Sequence, residues 1–388
     1  RWRVEKYSLV NGSVLWSKTV DLGNAGDSAE GVAVHSSGVY AVGYYTYDTS
    51  NYYYGWRIEK RYPENGTLIW ARTRILGEVS RATSVAVDDT GIYVLGGNYS
   101  KNFWDDRYVI EKLDHSGVSL WNKTVNPVVA GTDSEHPRDI TVDGTGVYVV
   151  GSYYAASGYP GWWIQKLALN NGTSLWNRTR NFASEGRGMV AEAVASDGTH
   201  IYVAGNEYVQ WITNPDWRWR FEKLSADGVS VWNSTSNPSI ESDAPKSVVV
   251  DEICLYVAGL DQQAGHGDYQ WRVEKRNKTD GKYIWHYNSN PSTGEDYLDG
   301  CALDSSAIYL CGNELSSSEE YDWLWRVEAL KKWATLDSVN SSTGTGTVYF
   351  NASMGDLFNL TAVGNESLPM EGRPEGLNFL HGFFSFNI

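Results

Sequence analysis

The 388-residue chain is poor in cysteine, methionine, histidine and proline, with 3, 3, 7 and 10 of them. Three cysteines cannot staple a fold of this length, so its stability must come from a large apolar core. The histidines, at positions 35, 115, 136, 200, 266, 286 and 381, fall at no metal-ligand spacing, and no HExxH, GxSxG or phosphate-loop pattern occurs. Positive charge is in deficit. The 32 Lys and Arg against 47 Asp and Glu give a formal charge of −15 with no basic cluster, which argues against nucleic acid as a partner. No apolar run reaches the roughly 20 residues of a membrane helix, and neither a signal peptide nor an initiating Met is seen. The chain therefore reads as a processed or trimmed ectodomain without a membrane span.

What is abundant is aromatic and repeated. A phrase of the form aromatic-Arg-Val-Glu-Lys returns as WRVEK at 2–6, WRIEK at 56–60, YVIEK at 108–112, WWIQK at 162–166, WRFEK at 219–223, WRVEK at 271–275 and WRVEA at 325–329. The interval is about fifty-four residues, the mark of a repeat protein. A polar turn follows each phrase, and then a second aromatic anchor at Trp16, Trp70, Trp121, Trp176, Trp232 or Trp285. Farther on comes an apolar hairpin: GVAVHSSGVYAVG, SVAVDDTGIYVLG, DITVDGTGVYVVG, EAVASDGTHIYVAG, SVVVDEICLYVAG and GCALDSSAIYLCG. Each unit thus supplies four short antiparallel strands, A and B from the hairpin, C from the phrase and D from the second anchor, which is the content of a propeller blade.

The expected fold is all-β: a propeller over 1–333, most simply of six four-stranded blades with seven as the competing count, and a small β-sandwich-like domain over 334–388. The chain opens on a C–D pair, so the expected closure has the segment from Trp2 to Val20 complete the last A–B hairpin, 300–312. Trp325 to Ala329 is then surplus, either displacing the N-terminal strand or leading outward. After Trp333 the repeat stops, and TVYFNAS, LFNLTAV and GFFSFNI read as strands of a sandwich left incomplete, whose edge wants a partner.

The turn-then-Trp pattern, as in NGTSLW from Asn171 to Trp176, resembles the tryptophan-docking repeat of quinoprotein-type propellers. The whole unit is similar to the propeller modules of secreted and cell-surface proteins of archaea and bacteria. The closing LNFLHGFFSFNI looks similar to β-sandwich modules near the C-termini of surface-anchored prokaryotic proteins. The resemblance implies a blade-docking role for Trp16, Trp70, Trp121, Trp176, Trp232 and Trp285. It is specific for fold and not for function.

Sequons stand at Asn11, Asn65, Asn98, Asn122, Asn171, Asn177, Asn233, Asn277, Asn340, Asn351, Asn359 and Asn365. Those in the C–D turn and directly after the D-strand Trp suit surface N-glycosylation, although Asn-Gly is also good hairpin chemistry. Cys301 and Cys311, at the places of Val32 and Val42 in the first unit, are a cross-strand disulfide candidate, with two buried thiols as the alternative. Cys254 replaces a turn Gly and is expected to stay free. The pairs Arg3 and Glu5, Arg57 and Glu59, Arg220 and Glu222, Arg272 and Glu274, and Arg326 and Glu328 read as a ladder of inter-blade ion pairs. Asp88, Asp143, Asp251 and Asp304 end strand A as turn residues, with calcium in a loop or channel left open.

The Asp box of sialidases is absent; SADGVSVW at 225–232 misplaces its Gly by one. No catalytic residue, metal or cofactor is assigned, and acidic loops at 132–136 and 292–299 are left as the channel mouth. The expected function is a non-enzymatic extracellular structural or interaction protein of a surface layer, filament or adhesive assembly, self-associating through strand edges or the C-terminal domain. The alternative is a carbohydrate-binding, lectin-like propeller using Tyr52 to Tyr54, Trp104 and Trp211, or a glycan-active hydrolase or lyase.

Overall fold

The computed structural model describes residues 1–22, 26–99, 107–125, 135–154, 159–181, 188–210, 215–262, 268–290, 292, 294–315 and 323–332, and strands 339–340, 346–351 and 357–362. Every regular element among them is a strand, and no helix is long and apolar enough to cross a membrane. The chain divides into two compact units, Arg1–Asn237 and Pro238–Ile388, so the sequence boundary at 333 falls inside the second.

The first unit opens with β1 (Trp2–Tyr7) and β2 (Val14–Val20), a two-stranded pair. Four antiparallel sheets follow in chain order: β3 (Ser28–His35), β4 (Gly38–Asp48), β5 (Tyr53–Arg61) and β6 (Leu68–Arg74); β7 (Val79–Asp88), β8 (Gly91–Tyr99), β9 (Arg107–Leu113) and β10 (Ser119–Val125); β11 (His136–Asp143), β12 (Gly146–Tyr154), β13 (Pro160–Leu167) and β14 (Ser174–Arg180); β15 (Met189–Ser196), β16 (His200–Gln210), β17 (Pro215–Ser225) and β18 (Ser230–Ser236). The first two of these sheets fuse, because Tyr54 on β5 bridges in parallel to Val79 on β7. The second unit holds β19 (Ala244–Val250), β20 (Cys254–Gln262), β21 (Tyr269–Asn277) and β22 (Tyr283–Ser289), then β23 (Asp296–Leu303), β24 (Ala307–Leu315) and β25 (Trp323–Lys331). Of the two fates the sequence left for Trp325 to Ala329, β25 takes the C position beside β24. Last come β26 (Val339–Asn340), β27 (Gly346–Asn351) and β28 (Leu357–Ala362), an antiparallel three-stranded sheet. They contain TVYFN and LFNLTA of the expected sandwich; GFFSFNI lies outside the described residues.

Every A strand carries a β-bulge at the same place, with Glu30, Thr83, Arg138, Glu192, Lys246 or Asp299 as the extra residue. The pairing corrects the cysteine expectation. Counted back from the A–B turn, before the bulge at Asp299 is reached, Cys301 faces Leu310 and Cys311 faces Gly300, which sets the two thiols on opposite faces of the hairpin. All three cysteines are free.

In the first unit a latch joins each sheet to the next. The indole N–H of Trp16, Trp70, Trp121 and Trp176 donates to the carbonyl of Pro63, His115, Leu169 and Ala226, at 3.0, 3.2, 3.1 and 2.9 Å, in the C–D turn of the following sheet. A glycine of that turn, such as Gly66 or Gly172 with φ near +69° and +67°, lies flat against the ring, where a side chain would collide. This is why Asn-Gly recurs there. A C-strand lysine doubles the bond: Lys112 donates to the Leu169 carbonyl at 3.0 Å and to Thr90 at 2.8 Å while standing 4.8 Å over the Tyr93 ring. Burial pushes the Lys112 ammonium below its ordinary pKa, opposed by Asp88. The strand-A aspartates close their turns, Asp88 and Asp143 accepting from Thr90 and Gly91 and from Thr145 and Gly146. Trp121→Phe should lose one hydrogen bond, about 1 kcal/mol, because Lys112 still satisfies the carbonyl. Trp121→Ala should cost about 3–5 kcal/mol by denaturant titration.

The C-strand acids Glu59, Glu111, Glu222 and Glu274 are buried and each meets guanidinium. Glu59 takes Arg57 and Arg61 from its own strand, as Glu274 takes Arg272 and Arg276. Glu111 takes Arg72 and Arg74 from the D strand of the preceding sheet, and Glu222 takes Arg178, Arg180 and its own Arg220. The ladder thus runs within strands as well as between sheets. Where both sources fail, with Lys123 and Val125 on β10 and Trp163 and Leu167 on β13, the residue is Gln165, whose amide donates to Ser174 at 2.9 Å.

Candidate functional site

The A–B and C–D turns are consumed by the latch, so unlike side chains have to be sought at the other end of the sheets, where the B–C hairpins and the starts of the A strands lie. In the first unit the β4–β5 hairpin is the most aromatic of these. Its sequence, YYTYDTSNYYY from Tyr44 to Tyr54, turns at Asp48, whose carboxylate accepts from the backbone of Ser50 and Asn51 at 2.9 and 3.1 Å. Tyr52 follows at φ 55°, the one non-glycine described there with positive φ, and is 61% exposed.

The hairpin is tied down to the next sheet. Tyr54 N–H donates to the Glu78 carbonyl at 3.1 Å, the Tyr47 hydroxyl to the Gly77 carbonyl at 3.0 Å, and Tyr53 reaches Glu78 Oε1 at 3.5 Å. Two residues beyond the Tyr54–Val79 bridge, Arg81 rises from β7. Its guanidinium carbon lies 4.7 Å from the ring centroids of both Tyr44 and Tyr54, which meet edge to face at 5.0 Å. Burial pushes the Tyr44 phenol up, with the Arg81 charge opposing it. Among the described arginines Arg81 is the one with neither an ion pair nor a hydrogen bond. Its Nε is buried without a partner, and its terminal nitrogens, equally unbonded, reach solvent.

The equivalent position on β11 is His136, edge to face with Tyr154 at 6.1 Å. Burial pushes its imidazole below the ordinary histidine range, helped by the Arg138 charge. Arg138 pairs across to Glu192 of the next bulge at 3.5 Å. One sheet on, Arg218 and Arg220 are both neutralised by Glu207, Arg218 Nε at 2.7 Å and Arg220 at 2.8 Å. Among the described arginines at this end of the first unit, Arg81 is thus the guanidinium without a counter-ion. Among the described residues no group of three His, Cys, Asp or Glu could hold a metal ion.

No protein-family model matches the sequence, and a search of curated proteins returns no match. Solved structures do match. The crystal structure of polysaccharide lyase Uly1 aligns with a TM-score of 0.54 at 10% identity, over 85% of this chain and 84% of that one. Trypanosoma rangeli sialidase aligns at 0.49 and 11% identity over 95% and 70%. Quinohemoprotein alcohol dehydrogenase from Comamonas testosteroni aligns at 0.47 and 11% over 87% of this chain, which spans 61% of that protein. The fold is that of a β-propeller. The likeness is one of fold and brings no activity with it.

It does overturn the leading expectation from the sequence. A non-enzymatic protein of a layer, filament or adhesive assembly was expected from the regularity of the repeat, whereas a polysaccharide lyase shares the fold at a TM-score above 0.5. Regular blades are shared with enzymes, so regularity excludes no chemistry and does not carry that expectation.

Of the residues singled out in the sequence, Tyr52, Tyr53 and Tyr54 belong to this cluster, while Trp104 and Trp211 lie outside the described residues. Asn11, Asn65, Asn122, Asn171, Asn177 and Asn233 are exposed. Asn11, Asn65, Asn171 and Asn277 each accept the N–H two residues on, so they also build the C–D turn. Asn98 is half-buried and donates to the Leu76 carbonyl at 3.2 Å. Asn340, Asn351 and Asn359 lie on β26 to β28, and Asn365 lies outside the described residues. Sequence reasoning missed Tyr44, Arg81 and His136. A signal was available: aligned repeats carry Ser28, Arg81, His136, Val190, Ala244 and Tyr297 at one position, the least uniform in an otherwise monotonous strand.

Proposed function

We propose that this propeller binds carbohydrate at the β4–β5 end of its first complete blade, outside the cell, with N-glycans on its exposed sequons. The carrying observation is the tyrosine cluster of Tyr44, Tyr47, Tyr53 and Tyr54, fixed to the next blade by main-chain bonds beside exposed Tyr52. Pyranose rings stack on such faces, and phenol hydroxyls supply directional bonds to sugar hydroxyls at small entropic cost. Rigid anchoring matters because a platform that had to be ordered on binding would lose much of its affinity.

Screening on an immobilised glycan panel, followed by calorimetry on the best hit, should find a ligand. Tyr52→Asn with Tyr53→Ala should weaken it tenfold or more, about 1.4 kcal/mol, at unchanged melting temperature. Asn is chosen at 52 because it tolerates positive φ. No bound glycan, or a hit indifferent to both substitutions, removes the reading. Incubating the hit with the protein and looking for new chain ends asks whether the same site turns it over.

A further inference from the structure

We propose that Arg81 is the receptor for a carboxylate on the bound sugar, so that the ligand is an acidic glycan carrying hexuronate. This rests on the reading of the tyrosine cluster as a sugar platform. Every other described arginine has a partner, whereas no carboxylate pairs with Arg81, not even Glu30, whose charge acts on the same Tyr44. A half-buried guanidinium left without a counter-ion is costly in a finished structure and is compensated when an anion arrives.

The geometry narrows the anion. Tyr44 and Tyr54 cover the guanidinium at 4.7 Å and its Nε is buried, which leaves the outer edge with its two terminal nitrogens. That edge presents two parallel N–H donors, the match for one planar carboxylate held bidentately. The chain carries a net charge of −15, so a polyanion is repelled in general and gains a foothold only where a positive group stands alone. Exposed Tyr52 and its neighbour Tyr53 lie on the same hairpin to take the ring of the same or an adjoining sugar.

The test uses hexasaccharides of glucuronate, galacturonate and mannuronate, the same compounds with their carboxyls reduced to alcohols, and a sulfated neutral hexasaccharide, all at 150 mM salt. For one of the uronates, reduction should weaken binding to the natural protein at least tenfold. Arg81→Met, which keeps the stem between the tyrosines, should bind the acid and the alcohol alike. A purely structural Arg81 would lower the melting temperature and leave the acid-to-alcohol ratio unchanged. Equal binding of acid and alcohol by the natural protein overturns this inference and leaves the sugar platform standing. Preference for the sulfated compound overturns the carboxylate assignment, and absence of all binding overturns the platform as well.

Discussion

Replacing Arg72 and Arg74 together by alanine is expected to cost about 3–5 kcal/mol, read as a drop in the denaturation midpoint, because Glu111 then stays buried without a cation. Glu111 is 1% exposed and takes both guanidiniums across the blade boundary, at 3.0 and 2.6 Å. Ser119 alone, donating at 2.7 Å, cannot replace a full charge. Adding Glu111→Gln to the double variant should recover most of the loss. The protein already contains this rescue, since the blade whose predecessor brings Lys123 and Val125 has Gln165 at that position. The converse change, Gln165→Glu, should therefore destabilise at neutral pH. A carboxyl confined there has its folded pKa above the unfolded value of about 4.3. The penalty is thus absent below that pH and grows as pH rises through the interval between the two values. A penalty independent of pH would mean that the site is limited by shape, not charge.

Gly205→Ala should be comparably severe, about 3 kcal/mol or more, and could prevent folding. A Cβ at Gly205 would fall well inside contact distance of the Val190 carbonyl oxygen and 2.8 Å from Trp162 of the preceding blade. Neither can retreat: the carbonyl belongs to the bulged strand β15, and Trp162 is fully buried. Gly198→Ala is the control, a turn glycine at φ +84° with open space around it, which should cost only the backbone term of about 1–2 kcal/mol. Similar losses at the two positions would show that packing at Gly205 relaxes.

The period, the four strands of each unit and the docking tryptophans are legible in the sequence because they are local. Hairpin turns and two-residue alternation need no knowledge of distant partners. The bulge is hidden for the opposite reason: every A strand has it, so aligning repeat against repeat never exposes the extra residue. Cys301 and Cys311, matched by their places in the repeat, are one step out of register for a different reason: the A–B turn pairs Cys301 with Leu310, as it pairs Val32 with Ala41 in the first blade. Arg81 could not be recognised as unpaired, since Glu111 and Glu207 take their guanidiniums from other strands, which sequence does not rank. Residues such as Tyr44 were lost among 26 tyrosines until the β5–β7 bridge brought two of them to one cation.

The extra residue in each A strand also gives the molecule separate accounts of permanence and change. The glycine opposite the bulge and the aromatic ring pressed upon it, Trp2, Trp56, Tyr108 or Trp162, are fixed by geometry, whereas Glu30, Thr83, Arg138 and Glu192 at the bulge itself differ. Duplication of a blade therefore copies a sound scaffold together with a residue on which selection can act at little structural risk. Single positions at the bulges can thus change from blade to blade while the seams between the blades are inherited intact.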